Sequence, residues 1–401
     1  MSGSRHILMV LDQAFPPDLR VENEARSLTE AGFEVTVLSI GPDERPPFDS
    51  AGKVEIVRLK ISAQSRNKMR GLSGSLPFLE WYLMRELSKL YRSSPFDAIH
   101  AHDLYLFGGC IRAGRKLGVP VVGDMHENWV EALKHYKWST TFPGKLVVNI
   151  PRWSRLEMEW SQEVDHLIVV IDEMKDRMNA AGIPREKMSV VPNTVHLHEF
   201  DSWPIDMPEQ LAQGKARIVY TGGMDLHRGL EDPIRAMPDV LQSFPNAELL
   251  LVGDGAVRSE LESLVASLDL GDAVRFAGWQ DQSRVKGFIA SSDIGLIPHK
   301  KTVHTDHTIP HKLFHYMRLR LPCVVSNCKP LERIVGDTGC GKVYESGSPK
   351  GLADALIELL SDRDLRTQMG QAGYEAVENQ YNWNATAKRL TEVYRKLFAE
   401  R

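Results

Sequence analysis

The chain of 401 residues is long for one hydrophobic core and comfortable for two domains. Its 42% hydrophobic and 25% charged residues are those of an ordinary globular protein, and a net charge of -4 argues against bulk nucleic-acid binding. Four cysteines (Cys110, Cys323, Cys328, Cys340) without CxxC spacing fit a reducing compartment, and the longest early apolar run, 7–11, is too short for a signal-peptide core or a membrane span, so a cytoplasmic protein is expected.

Strand and helix patterns alternate along the chain, which predicts parallel sheets with helices on both faces. HILMVLD (6–12) reads as the first strand. The loop QAFPPDL follows, then a helix from about Arg20 with Val21, Ala25 and Leu28 at helical spacing and Gly32 as its stop. Further strands are expected at 33–40, 53–59, 98–101, 119–124 and 166–171. After a polar, proline-bearing stretch at 201–214 a second series begins, with strands at 217–221, 248–252, 274–277, 294–298, 323–326 and 342–344 and helices notably at 257–268 and 351–360. This doubling predicts two Rossmann-type domains in tandem, which usually bind a ligand where the C-terminal ends of their strands converge. A nicotinamide site would want GxGxxG after the first strand; prolines and no glycine lie between Asp12 and Arg20.

The stretch HTDHTIPHKLFHYMRLRLPCVVSN (304–327) is the richest in chemistry. Pro310 suits the first position of a helix expected at 311–320, and CVVS reads as a buried strand. A helix N-terminus is a natural anion site, and this one is crowded with His304, His307, His311, Lys312 and His315. Pro310 leaves only His311 and His315 in one helical register and only Asp306 as a nearby acid, so no metal is expected. In YTGGMDLHRGL, Gly222 and Gly223 allow close backbone approach to a ligand, with Arg228 one turn on. An ordinary strand-to-helix turn with a solvated arginine fits that motif equally well. Asp362-Arg363-Asp364 is formally DxD but reads as a solvated turn.

Taken in order, these segments resemble the retaining glycosyltransferases of family 4. FPPDLRVENEARSLTEAGFEVTVL is similar to the family's opening loop and helix, DAIHAHD and DMHENW to its mid-domain strands, and VVPNTVHLHEF to its interdomain segment. IVYTGGMDLHRGL, LLLVGDG, VRFAGW, IGLIPH, TIPHKLFHYMRLRLPCVVSN and PLERIV follow in the family's order. The resemblance implies the α/β GT-B fold: two Rossmann-like domains facing across a cleft, an acceptor-side domain at 1–195 and a nucleotide-sugar domain at 196–382, with a C-terminal helix (383–401) crossing back to the first domain. It implies transfer of a sugar, of hexosyltransferase type, from a nucleoside-diphosphate-sugar donor to an acceptor hydroxyl with retention. No metal, cofactor or protein nucleophile is implied, and the setting would be polysaccharide, glycolipid or glycoconjugate biosynthesis.

By position Arg228 matches the second of two basic residues on the donor diphosphate. The first falls on Gly223, so Arg20 or Lys312 is left to supply a replacement charge. Two family glutamates fall on His307, which Thr308 follows, and on His315. His126 matches a histidine beside the donor sugar and is the catalytic candidate, with Asp124 and Glu127 placed to set its protonation. Trp279 lies near where relatives hold the base, and a core position fits it equally well. The donor-binding set is thus Arg20, Gly222, Gly223, Arg228, Trp279, His307, Thr308, His311, Lys312 and His315.

A glycan or lipid-linked acceptor is expected on the first domain. From 53 to 92 the chain carries nine Lys/Arg against three glutamates, around the amphipathic run LPFLEWYLMRELSKLY with Phe78, Trp81 and Tyr82. KHYKWSTTFPGKLVVNIPRW (134–153) is a second basic, aromatic region. Such residues suit peripheral contact with an anionic membrane; a core-facing stripe with a solvated charged rim is the competing reading. Two other functions compete with transfer. A sugar-nucleotide 2-epimerase would need placed carboxylates, and a non-catalytic sugar-nucleotide-binding protein would explain the replaced glutamates.

Overall fold

A computed structural model describes residues 4–74, 76–134, 139, 141–142, 148–208, 211 and 213–401. The chain divides into two compact units, Met1–Asn193 with Thr386–Arg401, and Thr194–Ala385.

In the first unit β1 (His6–Leu11), β2 (Glu34–Gly41), β3 (Phe48–Ala51), β4 (Val54–Lys60), β5 (Ala98–His102), β6 (Val121–Met125), β7 (His166–Val169) and β8 (Met188–Val190) form one eight-stranded sheet. Its order is β3-β4-β2-β1-β5-β6-β7-β8, and only the β3–β4 pairing is antiparallel. Strands β1 and β2 read as near-continuous apolar runs because helices cover both faces, and their cores are fully buried. Strand β3, FDSA, is exposed at all four residues and carries no apolar alternation, so the sequence pattern does not show it. Strand β8 is only three residues long.

In the second unit β9 (Ala216–Thr221), β10 (Ala247–Val252), β11 (Val274–Gly278), β12 (Ile294–Ile297), β13 (Cys323–Ser326) and β14 (Gly341–Tyr344) are ordered β11-β10-β9-β12-β13-β14, all parallel. Alternate residues feed two cores: Ile218, Tyr220, Leu249 and Leu251 on one face, Val219, Leu250 and Val252 on the other. Asp362, read from sequence as a solvated turn, caps the helix Arg363–Asn379 by accepting from the Leu365 amide at 2.8 Å.

Each sheet has a switch point where the chain reverses its direction of growth, β1/β5 in the first unit and β9/β12 in the second. Loops at strand C-termini there are the usual place for ligands. The final helix, Trp383–Ala399, begins in the second unit and ends in the first. Its Leu390, Val393, Tyr394 and Leu397 pack with Ile7, Met9 and Val37 of the first sheet. Among the described residues, no helix is long and apolar enough to cross a membrane.

Candidate functional site

In the first unit the switch point carries a buried network of charges. Asp124 and His126, two apart at the end of β6, point the same way, as do His100 and His102 on β5, whose rings stack at 4.3 Å. The helix Leu19–Glu30, capped by Asp18, places Arg20 and Glu24 on its buried face. Arg20 grips Asp124 with Nη2 at 2.9 and 3.1 Å from its two oxygens. It also bonds the Val191 carbonyl at 3.1 Å and pairs with Glu24 at 3.0 Å. The expectation that Arg20 supplies a spare charge for phosphate is corrected: its guanidinium is 6% exposed and already committed to two carboxylates. Glu24, His100, His102 and Asp124 hold ligand atoms within 4.8 Å of one another. Arg20 contacts both carboxylates, however, and a divalent ion would have to settle against that fixed positive charge.

His126 lies at the mouth of this network, its side chain 19% exposed. Its Nε2 is 3.1 Å from Asp124 Oδ2 and 3.0 Å from His102 Nδ1, and its Nδ1 is 3.8 Å from Asp103. Burial opposes its charge, but Asp103 and Asp124 outweigh that and raise its pKa to about 9. Burial and His100 hold His102 well below the usual imidazole range, so it stays neutral beside His126. Asp103, immediately after β5, has φ 71 and ψ 142, a region costly for any residue but glycine, on the order of 1–3 kcal/mol. Tyr105 Oη lies 3.0 Å from its carboxylate and 2.7 Å from Asp12, with one hydrogen to share between them. Arg70 closes the set through two bonds to Asp12 at 2.8 and 2.6 Å.

The second unit builds a different kind of site. β9 runs directly into Gly222, whose φ of +128 no ordinary side chain tolerates, and a Cβ there would lie 2.9 Å from Lys312 Nζ. The neighbouring turn at Gly253 approaches Gly222 so closely that a Cβ would meet its carbonyl at 2.0 Å. Gly223 has no such requirement, and its carbonyl accepts from Tyr220 Oη at 2.6 Å. Lys312 is buried and has no hydrogen-bond partner; its Nζ sits 3.5 Å from the centre of the Tyr220 ring. Burial and the neighbouring Arg228 press its pKa well down. Arg228, in the turn Leu226–Arg228, donates from Nη1 to His299 Nε2 at 3.1 Å. Neither cation has a carboxylate partner among the described residues.

The other expected donor residues are spread around this pair. The helix is Lys312–Arg318 rather than 311–320, with Pro310 before the His311 cap and not at the first helical position. Seven residues give only a weak dipole, so the positive character comes from side chains rather than from the helix end. His315 stacks on Phe200 at 4.8 Å with Trp203 edge-on at 6.2 Å. Burial, His311 and Lys312 push its pKa down to about 3, so it is a neutral ring in an aromatic bed. His311 lies 6.0 Å from it, ring to ring. His307 bonds the Val303 carbonyl at 2.6 Å, and Thr308 reaches the His304 carbonyl at 3.4 Å. Trp279 is 77% exposed directly after Gly278, whose carbonyl accepts from the Gly253 amide at 2.8 Å.

Of the residues at these two places, the sequence singles out His126, Gly222, Arg228 and Lys312 as candidates and does not single out Asp103, His102, Glu24 or His299. HAHD at a strand end is the signal for His102, which shares a face with His100, and Asp103 directly follows the strand. Glu24 follows Arg20 by one helical turn. His299 closes the IGLIPH segment, but nothing in that segment alone points to Arg228.

Two family descriptions match consecutive parts of the chain: "Glycosyltransferase Family 4" over residues 19–199 and "Glycosyl transferases group 1" over 201–376. An uncharacterized glycosyltransferase of Methanocaldococcus jannaschii is 24% identical over 384 residues, 92% of each chain. Among solved structures, sucrose-phosphate synthase from Thermosynechococcus elongatus superposes with a TM-score of 0.75 at 19% identity, covering 99% of this chain and 100% of that one. HepE of Anabaena in complex with UDP gives 0.70 at 12% identity, covering 97% and 99%. At these identities the structures establish the GT-B fold, and the matches across both units establish the rest: the chain belongs to glycosyltransferase family 4.

Proposed function

We propose that this enzyme transfers a hexose from a nucleoside-diphosphate sugar to an acceptor hydroxyl with retention, without a metal ion. The observation that carries the reading is the pair Arg228 and Lys312, a half-buried guanidinium and a buried amine held by a neutral imidazole and an aromatic face, with no carboxylate on either among the described residues. Such a pair is unsatisfied until a ligand brings about two negative charges, which a diphosphate does. As the sugar departs, charge develops on the diphosphate, and cations fixed beforehand stabilise it most at that moment. Gly222 lets the phosphates approach the backbone, and Trp279 offers an exposed ring for the base. UDP is the first donor nucleotide to test, because HepE, a protein of the same fold, was solved with it.

On the first unit we assign His126 and Asp103 to the sugar and the acceptor hydroxyl, one as a cation and the other as an acceptor. A polysaccharide, glycolipid or glycoconjugate acceptor fits the basic and aromatic surface near them in sequence. The test is thermal unfolding with a panel of nucleoside diphosphates and their sugars, since a ligand at a hundred times its Kd stabilises by about 2.7 kcal/mol. One base should stand out, and Arg228→Ala should weaken its binding at least tenfold. A flat panel, or full affinity in Arg228→Ala, would sink the donor assignment.

A further inference from the structure

We propose that His299 is a positioning residue for the donor diphosphate: its neutral imidazole aims Arg228 without discharging it. The inference rests on the reading of Arg228 and Lys312 as the diphosphate site. His299 directly follows Pro298 at the end of β12, on the far side of the switch point from Gly222, and is 3% exposed. An arginine only donates, so the contact from Arg228 Nη1 at 3.1 Å requires a lone pair on His299 Nε2. That places the ring hydrogen of His299 on Nδ1 and excludes the imidazolium. Burial, Lys312 and Arg228 keep the ring neutral.

The backbone around His299 is held just as firmly. Its carbonyl accepts from Ser346 Oγ at 3.2 Å and from Cys328 Sγ at 3.6 Å. Gly229, next to Arg228 at φ +65, packs so tightly on the same segment that a Cβ would meet the Pro298 carbonyl at 2.1 Å. The imidazole and the guanidinium are thereby fixed on abutting backbones. Arg228 Nε, also buried, has no hydrogen-bond partner.

The chemical choice matters. An aspartate or glutamate in place of His299 would orient Arg228 too, but would pair with it and compete with phosphate for its charge. An imidazole accepts one hydrogen bond and leaves the full positive charge facing the ligand.

The experiment is titration calorimetry on the full chain with the nucleoside diphosphate that binds best and with inorganic pyrophosphate as a base-free probe. His299→Ala should weaken both by about tenfold, the effect of losing one charge-assisted hydrogen bond. His299→Gln, whose Oε1 can take the place of Nε2, should stay within about threefold of the parent, and His299→Asp should fall at least as far as alanine. In an Arg228→Ala background His299→Ala should cause no further loss. Parent-like binding by His299→Ala beside a weakened Arg228→Ala overturns this inference alone, as does an undiminished loss in the double variant. Parent-like pyrophosphate binding by Arg228→Ala overturns the diphosphate site itself. If His299→Ala does not fold, the comparison of glutamine with aspartate decides, and equal affinities count against the proposal.

Discussion

His126 carries its charge because Asp103 and Asp124 more than repay its burial, and this has a consequence for pH. An imidazole titrates near 6.5 in an unfolded chain and here near about 9, so the folded state holds its proton more tightly. The resulting stability is complete below the unfolded value and is lost as pH rises through about 9. Glu24 acts in the same direction at a lower pH. Burial raises its pKa to about 8 against the opposing charge of Arg20, so stability also falls as the solution passes from about 4.5 to about 8. Between about pH 8 and about pH 10 His126 should contribute a loss of about 1 kcal/mol, added to that of the Cys110 thiol, which burial also pushes up. Denaturant unfolding across that window should show the fall in the parent and a flatter profile in His126→Gln. Identical profiles would mean that His126 is not the group holding the proton. The neutral His315 makes no such contribution; its ring is packed rather than charged.

Among the elements, the basic stretch at 53–92 has a divided fate. Arg58 is buried against Asp43 and Asp49, and Arg70 is spent on Asp12, so neither adds to a positive surface. The helix Phe78–Ser93 turns Leu79, Leu83 and Leu87 inward and leaves Phe78, Trp81 and Arg85 exposed, at 55%, 56% and 84%. With Leu76 at 42%, that is an apolar edge with cations beside it, suited to the headgroup level of an anionic membrane. In the second region proposed for that role, residues 135–138, 140 and 143–147 lie outside those described. Flotation with anionic vesicles at low salt should carry the parent upward and leave a Phe78→Ser/Trp81→Ser variant largely behind. Equal flotation would assign these two side chains no part in docking, and no flotation of the parent would remove the membrane reading.

The same elements show what the sequence discloses. Strands β1, β2, β4 to β7 and β9 to β14 fall within a residue or two of where apolar runs and turn residues predict them, because a strand covered on both faces must be apolar throughout. Strand β3 escapes the pattern because it lies at an edge in contact with water. The helix start at 311 is misplaced by one residue and its end by two, where His311 serves as cap. Glycine turns and Arg228 were legible as motifs. The bond from Arg228 to His299 was not, since it joins residues 71 apart in the chain that only the β9–β12 pairing brings together.

At the scale of the molecule, the last helix is the most instructive segment. Its first turn is tied to the second unit, where the Trp383 amide donates to the Val195 carbonyl at 2.8 Å and Asn382 bridges to Val195. Its remaining turns complete the core of the first unit, and Tyr394 Oη meets His100 Nδ1 at 2.8 Å within the buried network beneath His126. A chain that leaves a domain and returns to finish its core makes that domain's stability depend on residues far from the rest of it in sequence. Leu390 is fully buried there, so Leu390→Ala should cost about 2–5 kcal/mol. The cost should fall on one unit: hydrogen exchange followed by mass spectrometry should show β1, β2 and β5 losing protection while β9, β10 and β12 keep theirs. Equal loss in both sheets would mean that the units unfold as one body, and no loss in either would mean that the first core stands without its final helix.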